Sequence, residues 1–72
     1  MSEVARLMQQ ITMEYEAAQR ALHDPAYGTA KHHFITARME SLGRCQESLM
    51  QLVGTPEGVR LTVQALDQAQ EP

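Results

Sequence analysis

Apolar residues at Val4, Met8, Ile11, Tyr15, Ala18 and Leu22 are separated alternately by four and three positions, and Leu7 widens the stripe. That spacing is the seam of an α-helix packed along one side. It predicts a first helix over about residues 2–23, capped by Ser2 and stopped at Asp24-Pro25, because a residue before proline is pushed out of the helical region. "DPAYGT" then reads as the turn of an antiparallel helix pair. A start at Asp24, with Pro25 in the first helical position, would shift the second helix by one turn and leave the topology unchanged.

Ile35, Leu42 and Leu49 recur at sevenfold spacing, flanked by Met39, Cys45, Leu52 and Val53. They predict a second helix over about residues 29–53, with Thr29 as its cap and Gly54 ending it. "GTPEG" repeats the start signals: Thr55 as cap, Pro56 in the first position, and Glu57 where the helix dipole favours a negative charge. A short third helix over about residues 56–68 is expected to bury Val59, Val63 and Leu66, and the tail "DQAQEP" to fray. Closing the first pair between Asp24 and Thr29 sets Leu22 against Lys31, Ala18 against Ile35, Tyr15 against Arg38, Ile11 against Leu42, Met8 against Cys45 and Val4 against Leu49. The fold class expected is all-α: one small domain over residues 1–72, an antiparallel helical hairpin plus a short third helix.

Size changes that picture. A chain of 72 residues buries only about 60% of the surface its unfolded form exposes. The single Cys45 allows no intrachain disulfide, and no Cys/His set has structural-zinc spacing. Self-association is the remaining common supplement. Met13, Tyr27, Phe34, Met50 and Leu61 fall off the seams, so they are the expected interface of a homo-oligomeric helical bundle.

Nine acidic residues against six basic ones give a net charge of −3, and the arginines are dispersed, which makes nucleic acid an unfavoured partner. No run of about 18 apolar residues offers a membrane span. "MSEVARLMQQ" carries Glu3 and Arg6 without an apolar h-region, so no secretory signal is expected there. With one cysteine, the expected setting is reducing and cytoplasmic.

The candidate chemistry lies mostly in "TAKHHFITARMESLGRC". His32 and His33 are adjacent, so their side chains diverge by about 100° on a helix, whereas chelation from one helix wants positions four apart. No metal site and no cofactor are expected. Cys45 lies on the seam, and His33 is roughly 18 Å away along the helix, too far to act as its base. Ser41 and Ser48 lack a nucleophile elbow, and Glu14 and Glu16 point to different sides of their helix. Glu16–Arg20 and Glu40–Arg44 have the spacing of surface ion pairs, and Gly43 in mid-helix marks an expected close helix contact or bend.

Arg38 is the one charged residue that heptad counting puts on the second seam. Within one chain its guanidinium is expected to stack on the Tyr15 ring or reach Glu14. Alternatively, if a dimer brought two copies of it together beside Tyr15, with His32 and His33 as further hydrogen-bonding groups, an anionic ligand could fill the pocket, and Arg38→Leu would then stabilise the empty protein. The function expected is a non-enzymatic, homo-oligomeric helical adaptor or regulator acting by binding to itself and to a protein partner. The alternatives are a small-ligand or anion-binding oligomer with its site at a subunit boundary, and an RNA- or DNA-binding helical hairpin.

Overall fold

Three helices pack together, each against the other two: α1 (Glu3–His23), α2 (Thr29–Val53) and α3 (Thr55–Gln70). The computed structural model describes residues 2–25 and 28–70, and no strand occurs among them. The Ser2 hydroxyl accepts the Ala5 N–H at 3.0 Å, satisfying one of the open donors at the start of α1. At the other end of that helix, the Lys31 ammonium donates to the carbonyls of Leu22 (3.5 Å) and Asp24 (2.7 Å), a cation set where the helix dipole is negative. This contact holds the α1–α2 hairpin in the register with Leu22 beside Lys31.

Glycines take both capping positions that the sequence assigned to threonines. Gly28, at φ 129°, stands at the head of α2, its carbonyl accepts the His32 N–H at 3.3 Å, and Thr29 is already helical. Gly54, at φ 90°, donates to the Met50 carbonyl at 2.8 Å and accepts from the Gly58 N–H at 2.9 Å, so one residue ends α2 and begins α3. Only glycine tolerates such φ values cheaply, and the reversal is correspondingly abrupt. The tail is helical as far as Gln70, whose side-chain amide donates to the Tyr15 hydroxyl at 3.2 Å and ties the end of α3 to α1.

Leu7, Ile11, Cys45, Leu49 and Ala65 form the core, with Val4, Met8, Leu42, Leu61 and Leu66 packed against it. The buried face of α3 is not the expected one. Gly58, Thr62 and Ala65 are buried, whereas Val59 is 41% and Val63 51% exposed; of the expected trio only Leu66 reaches the core. A Cβ on Gly58 would lie 2.7 Å from Met50 Cγ and 2.8 Å from its Cα, so α3 approaches α2 within backbone contact and only small side chains fit the seam. The Thr62 hydroxyl, buried there, donates to the Gly58 carbonyl at 2.8 Å, and the Thr12 hydroxyl bridges α1 to the Ala65 carbonyl at 3.0 Å.

Gly43, by contrast, has nothing within 4 Å of an added Cβ. The close contact belongs to Gly58. Two of the off-seam residues are likewise used inside the chain: Met50 lies against Gly58, and Leu61 lies against the core. Met13 and Phe34 remain 59% and 44% exposed, and Tyr27 lies outside the described residues.

Candidate functional site

Arg38 projects from α2 toward α1 and meets Glu14, Nη1 to Oε1 at 3.2 Å. Tyr15 is one position beyond that contact and its hydroxyl is turned to Gln70 on α3, so the Tyr15–Arg38 pairing expected from the register gives way to Glu14–Arg38. The guanidinium also lies over the Phe34 ring, 5.5 Å from its centroid. Glu14 is nearly buried, at 13% side-chain exposure, and Arg38 is 37% exposed. The pair is joined by a single hydrogen bond, and Glu14 Oε2 and Arg38 Nε are buried without partners. The charge on Arg38 is thus answered from within the chain.

His32 and His33 are both exposed, with ring centroids 6.1 Å apart and planes tilted by 52°. His33 shares a shallow cleft of about 340 Å³ with Arg38, Glu40 and Arg44, while neither His32 nor Tyr15 lines it. All the residues around that cleft come from α2, so it has no second wall. The four proposed ligand residues, Arg38, Tyr15, His32 and His33, are therefore not brought to one place. Among the described residues no three His, Cys, Asp or Glu side chains converge as metal ligands would, and no helix is long and apolar enough to cross a membrane.

Two ion pairs support helix starts. Arg6 pairs with Glu3 in the first turn of α1, and Arg60 pairs with Glu57 in the first turn of α3, Nε to Oε1 at 2.6 Å. The guanidinium hydrogen bond in each holds the carboxyl below its ordinary pKa. This small support is present above the unfolded carboxylate pKa and is lost as pH falls through the lowered folded value. Glu16–Arg20 and Glu40–Arg44, expected at four-residue spacing, do not close into ion pairs.

Cys45 is 5% exposed, and its pKa is raised, first by burial and then by the nearby Glu14 carboxylate. A protonated, covered thiol is a poor nucleophile. In the native protein Cys45 is expected to resist a thiol-specific reagent over a period in which a denatured sample is labelled completely; equal labelling of the two would show that the α1–α2 seam opens readily.

Part of the surface that the structure leaves exposed is apolar. Among the described residues Met13, Leu22, Phe34, Met39, Leu52, Val59 and Val63 are between 38% and 61% exposed. A groove of about 580 Å³ along α1 and the end of α3, lined by Met8, Thr12, Met13 and Gln68 among others, adds to that surface. The valine pair on α3 escaped sequence reasoning as surface because its periodicity is that of a core stripe. Comparison with protein-family models, with curated proteins and with solved structures finds no match.

Proposed function

We propose that this protein is a non-enzymatic helical interaction module, a homo-oligomeric adaptor or regulator that acts by binding. One observation carries the reading: seven large hydrophobic side chains stand well exposed, while Ile11 and Leu49 are the largest side chains fully buried among the described residues. Isolated exposed hydrophobes are ordinary, but this many on so small a chain mark surface that another polypeptide covers. The small core makes the same point from the side of stability, since a domain of this size gains from having its apolar surface buried by a partner.

Self-association is assigned to the hairpin, where Met13 on α1 and Phe34 on α2 stand out from the surface. Light scattering at low micromolar concentration should show more than one copy per particle, and the melting temperature should rise with protein concentration. The double substitution Met13→Asp and Phe34→Asp should yield a monomer with unchanged helicity. A wild-type monomer with a concentration-independent melt would remove the oligomer from this reading.

A further inference from the structure

We draw no further inference here: the strongest candidate, the exposed apolar stripe between α2 and α3 at Met39, Val59 and Val63, is bordered by side chains of both charge signs, and nothing in the structure shows what covers it.

Discussion

Gly58→Ala is expected to lower the melting temperature, although alanine is the better helix former by about 1 kcal/mol. The new methyl group would sit 2.7–2.9 Å from the Met50 side chain, Cα and N. The side chain could rotate away, but the backbone cannot, so α3 must move off α2 and loosen the contact that Ala65 and Thr62 share. Overpacking of this kind costs about 1–3 kcal/mol, which exceeds the propensity gain. Melting should fall by several degrees, since each kcal/mol shifts a domain of this size by about 4–8 °C. Gly43→Ala makes the control. It has the same propensity gain and no neighbour within 4 Å, so it should raise stability by up to about 1 kcal/mol. Thermal unfolding of the two variants beside wild type tests both signs, and a rise for Gly58→Ala would show that α2 and α3 do not touch there.

Arg38→Leu should destabilise the protein by about 1–3 kcal/mol. The reason is Glu14, which at 13% side-chain exposure would be left in a nearly buried site with no guanidinium to answer it. The loss stays below that of a fully buried pair, about 3–5 kcal/mol, because Arg38 is itself 37% exposed and water enters from its side. This sign is opposite to that of the ligand-pocket account, in which Arg38 is held only by its ligand, and it agrees with the other account open from the sequence, in which the guanidinium stacks on Tyr15 or reaches Glu14. The double variant Glu14→Leu, Arg38→Leu separates the two costs. With Oε2 and Nε already without partners, the pair is imperfectly satisfied, and replacing both members should restore most of the lost stability. A denaturant-unfolding cycle over the four proteins measures the coupling. If both single variants match wild type, the ion pair contributes nothing and Arg38 is open to another partner.

These two results also mark where inference from residues stopped. The Arg38 seam position was legible from the spacing to Leu42 and Leu49, yet its partner was not, because a register read to the nearest residue cannot choose between Glu14 and Tyr15. In the fold Arg38 meets Glu14, while the Tyr15 hydroxyl accepts from Gln70 on α3, 55 residues away in the chain. The histidines are a milder case: the angular argument separated His32 from His33, and both stand exposed on α2 with diverging rings.

Helix content, the three segments and the α1–α2 register follow from information held within a few residues: the alternating apolar spacing of α1, the Ser2 cap, the stop at Asp24-Pro25 and the glycines that flank α2. Local signals suffice there because capping, turn conformation and one-sided burial act over one or two helical turns. Which side of α3 lies inside was decided only by the tertiary structure. Val59, Val63 and Leu66 have the same period as Gly58, Thr62 and Ala65, and hydrophobicity alone favours the first set. The one-residue turn at Gly54 brings the two helix axes too close for valine at the contact, so the small residues take the core and the valines are left on the surface. Interhelical distance belongs to the packed molecule as a whole, and no window of sequence contains it.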